Sequence, residues 1–220
     1  DQYVTDFSND KKKIYYISGE NKDNLLNSPQ MELFKNKKIN VLLITDPVDE
    51  FWMPMKMKFK EYEFASITKG EVDIEDKKES KKGKEEPKED KDFVGFLKDN
   101  LKDKVKDVKI SKRLTTSASC LVADENDMDM HLKKLMAANN QNISDEKRIL
   151  EININHELVN KLKSLDKNQK DKFCEILYDH AKLMEGENLD DPKKYTNLVS
   201  ELVSLWVINL ISVSYTHLTL

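Results

Sequence analysis

Residues 40–45 read Asn-Val-Leu-Leu-Ile-Thr, and Asp46 and Pro47 follow them directly. A continuous apolar run of this length predicts a β-strand that is covered on both faces, as in a parallel sheet. Aspartate suits the capping position of a helix and proline suits its first turn, so a helix is expected to begin at Pro47. This passage from strand to helix is typical of α/β architecture.

Strand and helix patterns alternate on both sides of this run. A β-rich stretch covers residues 14–18, and a helix is expected over residues 28–34 because it opens with Ser-Pro. Another short strand is predicted at residues 64–68. The alternation predicts a small α/β unit over residues 1–70.

Residues 71–92 divide the chain. They read EVDIEDKKESKKGKEEPKEDKD and are almost entirely charged. Such a stretch buries too little apolar surface to offset the entropy lost when it is ordered. A solvated linker or surface loop is therefore predicted, with a charged helix on either side of Pro87 as the alternative.

A different order of elements follows the linker. It predicts an α+β domain over residues 93–211, because helices and strands no longer alternate regularly. The predicted helices cover residues 93–101, 128–138 and 156–165, and the predicted strands cover residues 105–114, 119–123 and 149–154.

Two longer amphipathic helices are predicted near the end of this domain, and Asp191-Pro192 separates them. Their apolar stripes predict either a hairpin packed within the chain or self-association into a four-helix bundle. Before any resemblance is considered, the two alternatives are equally supported. The stripes are Phe173, Ile176, Leu177, His180, Ala181 and Met184 in the first helix, and Tyr195, Leu198, Val199, Leu202, Val203 and Trp206 in the second.

The final residues, 212–220, read SVSYTHLTL and show neither a helix cap nor an amphipathic pattern. We interpret them as an artefactual or frameshifted tail and assign them no function.

Composition excludes several classes of function. The chain of 220 residues has a formal net charge of -4, so it has no basic excess with which to neutralise a nucleic-acid backbone. No run of apolar residues is long enough for a membrane span, and no signal-peptide pattern is visible. Cys120 and Cys174 are expected to be reduced core residues. A cytoplasmic protein is therefore expected.

Enzyme motifs are missing from the sequence. It has no phosphate-binding glycine loop, no paired-cysteine motif and no histidine pair with metal-ligand spacing, so we expect no catalytic and no metal residues. One alternative stays open: Asp46, Asp49 and Glu50 follow a predicted strand and could form an acidic metal or phosphoacceptor site. The competing interpretation is that Asp46 caps the next helix.

Two apolar segments are candidates for loosely specific binding. Met128, Leu132, Leu135 and Met136 share one helix face, and methionine adapts its shape to varied partners. Residues 51–59, FWMPMKMKF, form the second segment, in which Pro54 interrupts any long helix. On sequence alone, an ordinary core face is the favoured interpretation of the first segment, and the sequence does not decide between core and exposed patch for the second.

Several blocks of the sequence resemble the heat shock protein 90 family in its bacterial HtpG form. They occur in the family's order from residue 1 to about residue 204, and they have the expected spacing. The blocks are KIYYIS at 13–18, SPQMELFK at 28–35, NVLLITDPVDE at 40–50, VKDVKISKRL at 105–114, LEIN at 150–153 with His156, and LDDP at 189–192.

The resemblance implies that residues 1–70 end a middle domain and that residues 93–211 form a C-terminal dimerisation domain of a stress-response chaperone. It implies a homodimer and unfolded client proteins as partners, with neither nucleic acid nor membrane. ATP and magnesium belong to a missing N-terminal domain, so the parent protein is expected to be an ATPase and this chain is not an enzyme. The implied client-binding residues are Glu50, Phe51, Met128, Leu132, Leu135 and Met136. The implied dimer interface comprises Phe173, Ile176, Leu177, His180, Tyr195, Leu198, Val199, Leu202 and Val203.

Overall fold

The structure is a computed structural model with mixed α/β architecture. It describes residues 12–52, 58–71, 74, 87–125, 127–128, 132–133, 136 and 147–216, without the side chains of 50–52 and 207–216.

A four-stranded sheet forms the centre of the first unit. Its strands are β1 (Lys13–Ser18), β2 (Leu42–Ile44), β3 (Lys58–Phe59) and β4 (Tyr62–Ser66), in the order β2-β1-β4-β3. Strand β1 is parallel to both β2 and β4, and β3 pairs with β4 in a short antiparallel hairpin. The predicted α/β character of this unit is confirmed.

Short helices connect these strands. They are α1 (Lys22–Asn27), a 3-10 turn (Pro29–Met31), α2 (Glu32–Asn36) and α3 (Pro47–Trp52). Helix α1 was not predicted from the sequence, because it is too short to show a clear apolar period. Tyr15 and Phe34 pack edge to face in the core of this unit, with ring centroids 4.9 Å apart.

The prediction that residues 40–45 are covered on both faces is wrong. Strand β2 lies at the edge of the sheet, and its three side chains are half-buried. The chain leaves β1 toward β2 on one side and later reaches β4 on the other, so β1 takes the central position. Accordingly, β1 is the most deeply buried strand of this sheet.

The second unit begins with helix α4 (Lys88–Leu101). Residues 88–92, at the end of the predicted linker, form its first turns, in agreement with the alternative of a charged helix beside Pro87. Asp90 is buried there and pairs with Lys163 at 2.6 Å, which explains why this charged stretch is helical. Phe93, Leu97 and Leu101 follow on the buried face of the helix.

A three-stranded sheet packs against this helix. Its strands are β5 (Asp107–Ile110), β6 (Ser119–Val122) and β7 (Ile149–Ile152), in the order β5-β7-β6. The central strand, β7, is parallel to β5 and antiparallel to β6. All three strands confirm the sequence prediction.

The remaining helices complete the second unit. They are α5 (Glu157–Ser164), α6 (Lys167–Phe173), α7 (Glu175–Met184) and α8 (Pro192–Thr216). The first predicted apolar stripe is divided between two helices. Phe173 ends α6, Cys174 separates the helices, and the other members of the stripe lie in α7. Helix α8 begins at Pro192 as predicted, and its backbone stays helical through residues 212–216 of the tail. No helix in the described ranges is long and apolar enough to span a membrane.

Candidate functional site

The two units are joined by backbone pairing. Lys69 and Ala123 form a parallel bridge, in which the Gly70 amide donates to the Ala123 carbonyl at 3.0 Å. The Ala123 amide donates in turn to the Thr68 carbonyl, also at 3.0 Å. The chain that leaves β4 therefore runs beside the end of β6.

A buried arginine reinforces this junction. Arg113 is only 1% exposed, and its Nε and Nη2 atoms donate to the two carboxylate oxygens of Glu151, each at 2.9 Å. Its Nη1 donates to the carbonyl of Ile67, and Nη2 donates in addition to the carbonyl of Gly70, both in the first unit. One guanidinium thus binds a carboxylate of β7 and two carbonyls of the neighbouring unit.

Ser111 holds this ion pair in place. Its hydroxyl donates to Glu151 at 2.7 Å and accepts from the amides of Arg113 and Leu114, at 3.2 and 3.1 Å. The turn after β5 is thereby fixed in the conformation that directs Arg113 inward. A bidentate pair with these additional hydrogen bonds meets the geometric conditions under which buried charges are tolerated.

A second contact between the units uses Glu32 of helix α2. Its carboxylate accepts from three successive backbone amides, those of Thr115, Thr116 and Ser117, at 2.6, 2.8 and 3.0 Å. Burial acts to raise the pKa of Glu32, but the hydrogen bonds from Ser117, Thr116 and Thr115 outweigh burial and hold this pKa below its ordinary value.

Gln30 provides a third contact. Its side chain is fully buried, and its Nε2 donates to the carbonyl of Leu121 at 2.9 Å and to the carboxylate of Glu185 at 2.7 Å. It therefore connects the 3-10 turn of the first unit with strand β6 and with the end of helix α7.

The first predicted client segment begins in helix α3. The Val48 amide donates to the Asp46 carboxylate at 2.9 Å, so Asp46 caps this helix as one interpretation predicted. Glu50 and Phe51 lie in the same helix, but their side chains fall outside the described residues, as does Pro54. Val48 itself is 68% exposed.

The second predicted client segment is described in part. Met128 and Met136 are half-buried, whereas Leu132 is buried, and Leu135 lies outside the described residues. Residues 132, 133 and 136 have helical backbone. Among the described members of the stripe, the two methionines are therefore more accessible than Leu132.

Five of the side chains that the resemblance assigns to a dimer interface pack in the chain's own core, and their assignment to the interface stays a prediction. They are Phe173, Ile176, Leu177, Leu198 and Leu202. His180, Tyr195 and Val199 are half-buried, and Val203 is 48% exposed.

Polar contacts also hold the hairpin within the chain. Glu175 of α7 pairs with Lys104 and with Lys194 of α8. The Tyr195 hydroxyl lies 3.5 Å from His180 Nδ1. Burial, together with the nearby His156, lowers the pKa of His180. Intramolecular packing, left open by the sequence, therefore accounts for most of both apolar stripes.

Both cysteines are buried and unpaired, as expected from the sequence. Burial raises the pKa of the Cys120 thiol well above its ordinary value and raises that of Cys174 to about 11. Neither thiol is therefore a nucleophile at neutral pH.

Comparison with known proteins identifies the family of this chain. The family model described as Hsp90 protein matches residues 1–214. The chain belongs to the Hsp90 family. Proteins named Chaperone protein HtpG are similar to it: that of Clostridium acetobutylicum is 40% identical over 209 residues, which cover 92% of this chain and 33% of that protein. The one from Mycobacterium leprae is 38% identical over 215 residues, covering 92% and 33%. This Hsp90 chain thus spans about a third of the length of these relatives.

The alternative of an acidic enzyme site at Asp46, Asp49 and Glu50 gains no support. Asp46 is engaged as a helix cap, and within the described parts of this Hsp90 chain no group of three acidic, histidine or cysteine side chains could hold a metal ion. The similar proteins are named as chaperones.

Gln30, Glu32 and Arg113 were not singled out by the sequence. The hydrogen-bond partners of a buried polar side chain cannot be predicted from a periodic pattern, because they lie far away in the sequence. The only signal was that all three residues lie within blocks that resemble the family, Gln30 and Glu32 in residues 28–35 and Arg113 in residues 105–114.

Proposed function

We propose that this chain is the dimerising and client-binding part of an ATP-driven chaperone of the HtpG type. The observation that carries the proposal is the match of 92% of the chain to proteins named Chaperone protein HtpG. ATP hydrolysis is assigned to a part of the parent protein that precedes this chain, and the chain itself is proposed to have no catalytic role. We propose a cytoplasmic location for it.

Dimerisation uses the outer face of helix α8 in this proposal. Leu198 and Leu202 bind this helix to the core, while Val203 points outward. In sequence, the apolar residues Val207, Ile208, Leu210 and Ile211 follow. In this proposal, the Val203 faces of two copies form a symmetric contact. The contact keeps two ATPase arms at high effective concentration, so that they close on each other intramolecularly.

Client proteins bind at the half-buried methionines of one segment and near Val48 of helix α3. Exposed apolar side chains of this kind bind apolar stretches of unfolded chains, and methionine tolerates many partner shapes. Closure of the arms changes client affinity only insofar as it changes these surfaces.

Light scattering across a concentration series tests dimerisation. The wild-type chain should show the mass of a dimer, and Val203→Asp should show that of a monomer at the same concentration. Ser204→Asp is the matched control, because Ser204 is the exposed neighbour on the same helix and accepts the same charge. Its mass should remain that of the wild type.

A wild-type monomer at every concentration, or a Val203→Asp dimer as stable as the wild type, would overturn this part of the proposal. Leu198→Asp and Leu202→Asp are unsuitable tests, because these substitutions place a charge in the core of the same chain.

Binding of a fluorescently labelled, permanently unfolded protein tests client recognition. Met128→Ser together with Met136→Ser should weaken binding, whereas Lys133→Ser on the same segment should leave it unchanged. Equal affinities for all three proteins would contradict the assignment of this surface.

A further inference from the structure

The turn between β5 and β6 presents four hydrogen-bond donors to one point. The amides of Thr115 and Thr116 donate to Oε2 of Glu32 at 2.6 and 2.8 Å. The Ser117 amide donates to Oε1 at 3.0 Å, and the Ser117 hydroxyl donates to the same atom. Successive backbone amides that converge in this way form a concave site for an anion.

The second unit holds this turn in shape through its own contacts. Before the turn, the Ser111 hydroxyl accepts from the Leu114 amide at 3.1 Å. After it, the Asn153 side chain donates to the Ser117 carbonyl at 3.1 Å, and the Asn153 amide donates to the Ala118 carbonyl at 2.9 Å. Leu114 and Ala118 are buried, at 7% and 2% exposure. We therefore expect the donors to stay aligned when the first unit withdraws.

The arrangement of the donors matches a carboxylate. Oε1 and Oε2 of Glu32 each accept two of these four hydrogen bonds, so the site fits a planar group with two equivalent oxygens. Within the part of the chain that the structure describes, no lysine or arginine pairs with Glu32. Neutral donors therefore stabilise the charge, and they lower the pKa of Glu32 although burial acts to raise it.

The site lies at the surface of the second unit. Thr115 and Thr116 are exposed, and Ser117 is half-buried. Glu32 reaches the site from the other unit, at the start of helix α2, and is itself half-buried. Withdrawal of this one side chain therefore opens the donors to solvent and to a ligand.

We propose that the turn of residues 115–117 is a carboxylate-binding site, which Glu32 occupies from within the chain and which binds an acidic side chain of another polypeptide when Glu32 is withdrawn. Glu32 then acts as an autoinhibitory ligand. Because the first unit tethers it, its effective concentration at the site is high, and it excludes free carboxylates. The site is independent of the dimer contact and of the methionine segment proposed above.

Occupation of the site is linked to the contact between the two units. Glu32 and an acidic side chain of another polypeptide compete for the same donors, so they do not bind together. A bound acidic segment therefore favours the arrangement in which helix α2 has left the turn, and closure of this contact weakens binding of the segment by the same factor.

Rescue of Glu32→Ala by acetate tests whether the site binds a carboxylate. The whole chain is unfolded in urea, in sodium acetate or in sodium chloride of the same ionic strength. At an acetate concentration ten times the dissociation constant of the site, the equilibrium constant for unfolding of the variant should be about tenfold lower than in chloride. The same comparison on the wild type, whose site Glu32 fills, measures the general effect of the salt and is subtracted.

Control variants and ligands assign the rescue to this site. Glu61→Ala is the matched control, because it removes an exposed carboxylate that pairs with the side chain of Lys12, and acetate should not rescue it. Acetamide, the neutral analogue of acetate, should not stabilise Glu32→Ala. Addition of Ser117→Ala to Glu32→Ala removes one donor and should raise the acetate concentration needed for rescue by several-fold.

A peptide tests the source of the carboxylate. The probe is acetyl-Gly-Ser-Glu-Ser-Gly-amide, whose only carboxylate is a side chain, and its comparison peptide carries glutamine in place of glutamate. The glutamate peptide should shift the amide resonances of Thr115, Thr116 and Ser117 in the nuclear magnetic resonance spectrum of Glu32→Ala. The glutamine peptide should not shift them, and neither peptide should do so in the wild type at the same concentration.

Equal stability of Glu32→Ala in acetate and chloride, equal rescue by acetamide or by inorganic phosphate, or unshifted resonances with the glutamate peptide would overturn the proposal. If Glu32→Ala is unfolded in chloride, circular dichroism gives the decision. Recovery of the folded spectrum in acetate supports the site, and an unfolded spectrum at every acetate concentration counts against it.

Discussion

Removal of the Arg113 guanidinium is the most informative perturbation of this chain. Arg113→Met keeps much of the side-chain volume but leaves Glu151 buried with Ser111 as its remaining donor among the bonds described above. It also removes the donors to the carbonyls of Ile67 and Gly70. Breaking a buried ion pair by removing one partner costs about 3–5 kcal/mol, so we expect a loss of this size in the free energy of unfolding.

Urea denaturation followed by circular dichroism measures this loss. With a slope of about 2–3 kcal/mol per molar urea, the midpoint should fall by roughly 1–2.5 M. Lys98→Met is the matched control, because Lys98 pairs with Asp107 at 2.8 Å on the surface, and it should leave the midpoint unchanged. Hydrogen exchange at the Gly70 and Ala123 amides should accelerate in Arg113→Met, since these amides belong to the junction.

A double variant separates the ion pair from the junction. Arg113→Met with Glu151→Leu removes both charges, so it should recover part of the lost stability. The part of the free energy of unfolding that is not recovered measures the cost of leaving the carbonyls of Ile67 and Gly70 without the Arg113 donors. The reasoning is refuted if Arg113→Met loses no more stability than Lys98→Met, or if the double variant is less stable than the single one.

Three further predictions concern other contacts. Glu32→Gln should cost about 1–3 kcal/mol, because an amide replaces the charged acceptor of three backbone donors, and urea midpoints at neutral pH measure this loss. Because the pKa of Glu32 is lowered, its contribution to the free energy of unfolding is present above the ordinary value of 4.5 and is lost as the pH falls toward the folded-state value. A Glu32→Gln chain whose stability falls as steeply in acid as that of the wild type would contradict this. The pKa of His180 is lowered from 6.5 in the folded chain, so as the pH falls the unfolded chain takes up a proton before the folded chain does. Stability should therefore fall as the pH drops below 6.5, and His180→Gln should flatten the profile of melting temperature against pH in that range. Leu177→Ala should cost about 2–5 kcal/mol in urea denaturation because Leu177 is fully buried, whereas Val203→Ala should cost far less, and similar losses would show that the hairpin packs differently.

Local patterns in the sequence predicted most elements correctly. The strands at β1, β6 and β7 and the start of helix α8 at Pro192 follow from β-rich runs and from the fixed backbone angle of proline. The cap at Asp46 follows from its place before Pro47, and the structure confirms it. These features depend on neighbours in the chain, so the sequence carries them directly.

Apolar patterns predicted burial but not the partner that provides it. Residues 40–45 show the same composition whether a strand is central or at an edge, and β2 proved to be at an edge. In the same way, the stripe that includes Phe173 and Leu177 fits a dimer interface and an internal core equally well. Only the packing of α6 and α7 on the second sheet places these two side chains inside.

The sequence by itself determined most element types and the resemblance to the Hsp90 family, because these depend on local spacing and on ordered blocks. The tertiary structure alone decided how the two parts are joined: Arg113 reaches Ile67 and Gly70, Glu32 receives the amides after residue 114, and Gln30 links Leu121 with Glu185. The physical reason is that a buried polar group is stable only where distant partners satisfy it, and those partners are brought together only when the chain folds.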